Sequence, residues 1–205
     1  MSRFIVIEGT EGVGKSTLIS GLSAALSEQG ETVLVTKEPG GSTLGKEIRK
    51  ILLSEQKEAI APKAELLLFL ADRAQHVEKV IKPALAAGQI VLCDRYTYST
   101  LAYQGYGRGL SRETLNQFNS FATSDLKADR VLLLDADPRV GLARAAERKN
   151  AAKLEEQLKF HDTLREGFLA MAKQEANLFR IIDCTQSPEA VLKSALDHSL
   201  SVGRE

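Results

Sequence analysis

The sequence predicts an α/β fold, in which a doubly wound five-stranded parallel sheet carries helices on both faces. First, short apolar runs alternate with longer amphipathic stretches along the 205 residues, and this alternation favours repeated βαβ units. Second, the runs are apolar almost throughout, as in strands covered on both faces. Third, the first run leads directly into a glycine-rich loop that opens a helix. Right-handed crossovers then give the doubly wound order.

The elements follow from this patterning. We expect strands at Phe4–Ile7, Thr32–Thr36, Ile90–Cys93, Val131–Leu134 and Phe179–Ile182. We expect helices at Lys15–Glu28, Leu44–Leu53, Lys63–Ala87, Thr114–Thr123, Val140–Glu147, Leu154–Asn177 and Pro188–Leu200. The chain contains no internal repeat and no Gly/Ser linker, so we expect a single domain over 1–205.

Composition excludes several classes of protein. The 27 basic and 27 acidic residues balance, which argues against a nucleic-acid coat or a membrane-surface protein. The longest apolar run, Leu66 to Ala71, is far shorter than the roughly 20 residues that cross a bilayer. We therefore expect a cytoplasmic protein with neither nucleic acid nor membrane as a partner. Cys93 and Cys184 lie in or beside apolar runs, and we assign them no chemistry.

The strongest motif is a phosphate-binding loop. The segment Gly9-Thr10-Glu11-Gly12-Val13-Gly14-Lys15-Ser16, followed by Thr17, fits the pattern G-x-x-x-x-G-K-[ST] between a strand and a helix. Its backbone N–H groups and the following helix N-terminus can surround phosphates. Lys15 would reach the β- and γ-phosphates, and Ser16 would bind Mg²⁺. A nucleoside triphosphate site follows, although this loop alone does not separate a kinase from a motor or a switch.

A second site is expected where other strands end. Glu38-Pro39-Gly40-Gly41 follows the second strand, and Asp94-Arg95 closes the third, at the edge where open parallel sheets bind ligands. Asp94 suits Mg²⁺, directly or through water, and the Arg95 guanidinium suits a phosphate. Arg49 could supply a second phosphate contact.

A flat base would fit beside the next helix. Phe69 and Arg73 are four residues apart, so a helix places them on one face. An aromatic ring beside a guanidinium can stack on a base and bind its carbonyl edge, although a core Phe with a solvated Arg has the same spacing. A polar set with helical spacing after Arg95 faces the same cleft, and it consists of Ser99, Thr100, Tyr103 and Gln104.

Together these motifs resemble the thymidylate kinase family, in its bacterial class, over nearly the whole chain. The resemblance implies transfer of the ATP γ-phosphoryl group to dTMP with Mg²⁺, in dTTP biosynthesis, by a homodimer. It also implies that Phe69 stacks on thymine, that Arg73 binds a thymine carbonyl, and that Arg49 and Arg95 hold the dTMP phosphate. Further dTMP contacts are implied for Glu11 with the 3′-hydroxyl, Tyr103 beside the sugar, Ser99, Thr100 and Gln104 near the base, and Glu38 and Pro39.

The resemblance also implies a basic lid at about 144–156. The phosphate-binding loop offers Glu11 and Val13 where another class has a basic residue, so the lid would supply the transition-state charge. Arg148 is the first candidate for this role and Lys153 the second, with Arg144 beside the adenine. The sequence departs from the family pattern at Lys153 and Lys37, where Arg is expected, and this leaves the acting lid residue open.

Two other functions remain open on the residues. A kinase for another nucleotide or for a deoxynucleoside would share the phosphate-binding loop, but Arg49 and Arg95 favour an acceptor that already carries a phosphate. A non-catalytic ATP-binding switch would hydrolyse ATP slowly without an acceptor.

Overall fold

A five-stranded parallel sheet forms the centre of the fold. A computed structural model describes residues 2–54, 58–145 and 151–200, without the side chains of 142–145 and 151–156. The strand order is β2-β3-β1-β4-β5, and every pairing is parallel. The strands are β1 (Arg3–Glu8), β2 (Val33–Lys37), β3 (Ile90–Asp94), β4 (Arg130–Asp135) and β5 (Phe179–Asp183). The predicted fold class is confirmed.

Nine α-helices lie in the described ranges, namely α1 (Lys15–Glu28), α2 (Thr43–Leu53), α3 (Pro62–His76), α4 (Lys82–Ala86), α5 (Thr97–Thr100), α6 (Arg112–Thr123), α7 (Pro138–Ala145), α8 (Ala151–Gln174) and α9 (Pro188–Leu200). The helix expected at Lys63–Ala87 is divided by a π-helical turn at Val77–Ile81. Pro83 lacks an N–H and cannot continue the regular hydrogen-bond ladder, which explains the change of register. A second π-helical segment, Leu101–Gly107, extends α5.

The sheet separates two apolar layers because alternate residues of a strand face opposite sides. Phe4 and Val6 of β1 belong to the layer that contains residues of α3, α6 and α8. Ile5 and Ile7 belong to the layer formed with α1 and α9. All four side chains are buried, so β1 packs against both apolar layers. This packing fixes the position at which the following loop begins.

The carboxyl ends of the parallel strands meet at one edge of the sheet, which we call the C-edge. The phosphate-binding loop leaves β1 at the middle of the C-edge, and helix α7 packs against it. A Cβ atom added to Gly12 would collide with the Gly141 carbonyl oxygen, and one added to Gly141 would collide with the Glu11 carbonyl oxygen. Backbone therefore contacts backbone here.

No helix of the described ranges is long and apolar enough to cross a membrane.

Candidate active site

The phosphate-binding loop has the backbone geometry of an anion site. Gly9, Gly12 and Gly14 have φ values of 141°, 77° and 97°, which glycine adopts without a steric penalty. Gly14, which has no side chain, caps α1 without a side-chain hydrogen bond, so the capping residue leaves the first N–H groups of the helix open to an anion. These N–H groups and the helix dipole favour a bound phosphate.

Lys15 is buried in this loop and folds back onto it. Its Nζ donates to the carbonyl oxygens of Gly9 at 3.0 Å and Thr10 at 2.7 Å. Burial lowers the pKa of Lys15 to about 8, and the positive charge of Arg95 acts in the same direction. The ammonium group thus lacks a full counter-charge, which a phosphate would supply.

Glu8, which sequence reasoning missed, joins the loop to the acceptor side. Its buried carboxylate accepts hydrogen bonds from the Tyr96 N–H at 2.9 Å, the Ser99 N–H at 3.1 Å and the Ser99 hydroxyl at 2.6 Å. Burial raises the pKa of Glu8, against the opposing effect of these donors and of Arg95. The sequence did contain a signal for Glu8, because it is a single carboxylate at the end of an apolar strand, directly before the first glycine of the loop.

Arg95 follows β3 with an unusual backbone conformation. Its φ is 72°, and its N–H donates to the Ile7 carbonyl at 3.0 Å. The guanidinium donates to the Ser99 hydroxyl at 3.2 Å and lies over the Tyr103 ring, 5.0 Å from its centroid. The structure thus brings Arg95, Ser99 and Tyr103 together.

The donor set for a divalent cation lies beside the loop. Asp94 and Ser16 line one groove of about 390 Å³. The Asp94 Oδ1 atom is buried and has no hydrogen-bond partner in the described part of the chain. Carboxylate and hydroxyl oxygens are the ligands that Mg²⁺ prefers, so these two residues fit the ion.

Arg73 is buried at the centre of a polar cluster. Its Nε donates to Glu38 Oε2 at 2.8 Å, and its Nη1 donates to the Thr100 hydroxyl at 2.8 Å and to Asn119 Oδ1 at 2.5 Å. Its Nη2 donates to the Tyr96 carbonyl at 2.8 Å. These bonds use four of the five N–H groups of a guanidinium and fix its plane. Asn119 was not expected from the sequence.

The other carboxylate oxygen of Glu38 continues this cluster. His76 Nδ1 lies 3.0 Å from Glu38 Oε1, and His76 Nε2 lies 2.6 Å from the Thr36 hydroxyl. A carboxylate can only accept, so Nδ1 carries a hydrogen and donates to Glu38, while the Thr36 hydroxyl is the partner of Nε2. His76 lies three residues after Arg73 on the same helix, a spacing that could have revealed it.

The turn after β2 holds Arg49 near the cluster. Arg49 Nη1 donates to the Pro39 carbonyl at 2.8 Å, and the Gly40 N–H donates to Asp72 Oδ1 at 3.0 Å. Asp72 is fully buried, and burial raises its pKa. These bonds fix the turn against α3 and place the guanidinium of Arg49 beside it.

Three further residues predicted for the acceptor site are Phe69, Tyr103 and Gln104. Gln104 is buried and donates to Glu65 Oε1 at 2.8 Å, while Phe69 is partly buried on α3. Tyr103 packs edge-on against Phe160, with ring centroids 6.2 Å apart. Ser99 and Gln104 thus have protein partners, and their contacts with a base stay predictions.

Glu11 extends from the phosphate-binding loop with 65% of its side chain exposed, and His161 Nε2 of α8 lies 4.0 Å from its Oε2 atom. His161 was not expected from the sequence. The lid candidates Arg144, Arg148 and Lys153 lie outside the residues whose side chains are described.

Comparison with known proteins agrees with this geometry. The model of the family described as thymidylate kinase matches residues 7–195. The chain belongs to the thymidylate kinase family. The thymidylate kinase of Desulfovibrio desulfuricans is 51% identical over 197 residues, which cover 92% of this chain and 91% of that protein. The enzyme of Solidesulfovibrio magneticus is 49% identical, with 93% and 95% covered.

A solved structure supports the same fold. The crystal structure of thymidylate kinase from Ehrlichia chaffeensis matches with a TM-score of 0.80 at 31% identity, covering 96% of this chain and 97% of that one. The predicted family and the predicted enzyme class are confirmed. The chain is a phosphoryl-transferring enzyme of the thymidylate kinase family.

Replacing Arg73 with Ala should strongly destabilise the fold. It would leave the buried Glu38 carboxylate without its counter-charge, at a cost of about 3–5 kcal/mol in the free energy of unfolding. Urea denaturation measures this loss. The matched control is Arg108→Ala, which breaks an exposed ion pair with Glu65 at 2.7 Å and should cost less than about 1 kcal/mol. Equal losses would contradict the assigned importance of the buried pair.

Lys15 should take up a proton when a nucleoside triphosphate binds. Its pKa of about 8 should rise beside the phosphates, so the bound state holds more protons and affinity should fall as the pH rises above that value. Calorimetry with ATP at that pH, in buffers of different ionisation enthalpy, should detect uptake of about half a proton. Lys15→Arg stays charged and should show no uptake. Identical uptake by both proteins would assign it to another group.

Proposed function

We propose that the chain transfers the γ-phosphoryl group of ATP to dTMP, forming dTDP and ADP, and thereby contributes to dTTP synthesis. The observation that carries this proposal is the meeting of two built sites at the C-edge, one around Lys15 and one around Arg73, joined through Glu8 in a chain of this family. Phosphoryl transfer needs such positioning and charge neutralisation, and it needs no covalent intermediate on the enzyme.

On the donor side, the backbone N–H groups of the phosphate-binding loop would bind the ATP phosphates. Lys15 would move from the carbonyls of Gly9 and Thr10 onto the β- and γ-phosphates, a short displacement because its Nζ already lies inside the loop. Ser16 and Asp94 would hold Mg²⁺, directly or through water. The ion would neutralise charge on the transferred group.

On the acceptor side, Arg95 and Arg49 would bind the dTMP phosphate. The Arg95 guanidinium is held in place by Ser99 and Tyr103, so little conformational entropy is lost when the phosphate binds. Glu11 would accept a hydrogen bond from the 3′-hydroxyl, and Tyr103 would fill the space beside the sugar.

Arg73 would bind a thymine carbonyl through its fifth N–H group, which forms none of the four hydrogen bonds described above. Phe69, one turn away on α3, would stack on the base, while Ser99, Thr100 and Gln104 would border the remaining edge. Four hydrogen bonds fix the Arg73 guanidinium, so its remaining N–H group would point in one direction. Only a base with a carbonyl oxygen at that position would accept this hydrogen bond, which favours one base over others.

We further propose that 1–205 forms one kinase domain with a basic lid at about 144–156. Within the loop from Gly9 to Ser16, Lys15 is the one basic residue, so the lid would supply the further charge. Arg148 is the first candidate and Lys153 the second, with Arg144 beside the adenine. A closed lid would also exclude water from the transferred group.

We propose that the chain acts in the cytoplasm as a homodimer. Helices α2, α3 and α6 lie side by side and expose apolar side chains, among them Ile51, Leu67, Phe118 and Phe121. Exposed apolar residues on neighbouring elements are typical of a subunit interface. A second copy of the chain would bury this surface away from the C-edge.

The acceptor assignment predicts selectivity among nucleotides and nucleosides as acceptors. With ATP and Mg²⁺, dTMP should react at least about 10²-fold faster, by kcat/KM, than UMP, dCMP or thymidine. A coupled assay of ADP formation measures the rates. Arg95→Ala should raise the KM for dTMP, whereas the exposed Arg112→Ala serves as the matched control. Equal rates across the panel would refute the base and sugar assignments.

The lid assignment predicts a loss in kcat. Arg148→Ala should lower kcat by about 10²-fold or more, with a smaller change in KM, because its charge would act in the transition state. Lys173→Ala, on the exposed end of α8, is the control. A comparable loss in Lys153→Ala alone would assign the role to Lys153, and unchanged kcat in both variants would refute a lid cation.

A further inference from the structure

A histidine of α8 is buried against the phosphate-binding loop. His161 has only 9% of its side chain exposed, and its Nε2 lies 4.0 Å from Glu11 Oε2. Its Nδ1 is buried and has no hydrogen-bond partner in the described ranges. A buried N–H group without an acceptor costs free energy, so the hydrogen of the neutral imidazole belongs on Nε2, the nitrogen that faces Glu11.

The surroundings of His161 place it between the two substrate sites. The adjacent Phe160 packs against Tyr103, which borders the proposed sugar site. Burial lowers the pKa of His161, and Arg95 and Lys15 act in the same direction, against Glu11 and Asp162. The imidazole is therefore neutral near pH 7 and carries one N–H group.

We propose that His161 is a positioning residue, whose Nε2–H group donates to the Glu11 carboxylate and holds it toward the sugar 3′-hydroxyl of the acceptor. This rests on the proposed function, in which Glu11 accepts from that hydroxyl. The Glu11 side chain is mostly exposed, so without a partner it samples several rotamers. The 4.0 Å separation closes, or is bridged by water, when the acceptor binds.

The proposed contact affects recognition of the sugar. The 3′-hydroxyl is remote from the phosphoryl group that reacts, so its hydrogen bond to Glu11 contributes similarly in the ground state and in the transition state. Loss of such uniform binding raises KM and leaves kcat nearly unchanged. His161 thereby increases the preference for an acceptor that carries a 3′-hydroxyl.

Two variants of His161 distinguish the contribution of Nε2 from that of Nδ1. His161→Gln places an amide nitrogen near the position of Nε2, whereas His161→Asn places one near Nδ1. We expect His161→Asn to raise the KM for dTMP by about 5- to 20-fold, and His161→Gln to stay within about 2-fold of the parent chain. His198→Asn is the control, because His198 lies near Arg130 at the opposite end of the sheet.

The probe is 3′-deoxythymidine monophosphate, which lacks the hydroxyl in question. Its KM should be the same for the parent chain and for His161→Asn, and His161→Asn should add no effect for dTMP in a Glu11→Gln background. A KM increase of equal size for both acceptors would overturn the proposal, as would an unchanged KM for dTMP. If thermal unfolding shows that His161→Asn does not fold, His161→Phe, which keeps a ring, gives the same test.

Failure of the proposed function has a different signature. If the parent chain does not phosphorylate dTMP, the proposed reaction is wrong. If Glu11→Gln leaves the preference for dTMP over the 3′-deoxy analogue intact, the Glu11 assignment is wrong and the His161 proposal falls with it. If Glu11→Gln abolishes that preference and His161→Asn leaves it intact, only the His161 proposal is overturned.

Discussion

Three hydrogen bonds to the buried carboxylate of Glu8 determine how the two halves of the site are arranged. Two come from backbone N–H groups and one from the Ser99 hydroxyl, and together they offset the desolvation of a carboxylate. They also hold the segment in which Arg95 has a φ of 72°, a conformation that costs a non-glycine residue about 1–3 kcal/mol. The end of β1 thus positions both the phosphate-binding loop and the arginine that faces it.

Most of the fold could be predicted from the sequence because each element has its own periodicity. The five apolar runs became the five strands, and the predicted bounds of α1 and α9 agree with the structure. The π-helical segments at Val77–Ile81 and Leu101–Gly107 were missed as such. Pro83 was an available signal for the first of these segments, but the side-chain pattern that marks a helix is nearly the same in both registers.

The candidate site was predictable only where a motif lies within one segment. Lys15 and Asp94 follow from their positions at strand ends, whereas the partners of Arg73 come from segments 23 to 46 residues away in sequence. Asn119 becomes part of the site only when the chain folds. Its side chain satisfies a buried guanidinium, a requirement that composition and spacing do not reveal.

The close approach of Gly12 and Gly141 has a mechanical consequence. No side chain separates α7 from the phosphate-binding loop at this point, so no rotamer change can absorb a displacement between them, and close-packed groups transmit such shifts. A displacement of α7 (Pro138–Ala145) is therefore passed directly to the phosphate-binding loop, so that the helix and the loop shift together as one rigid unit.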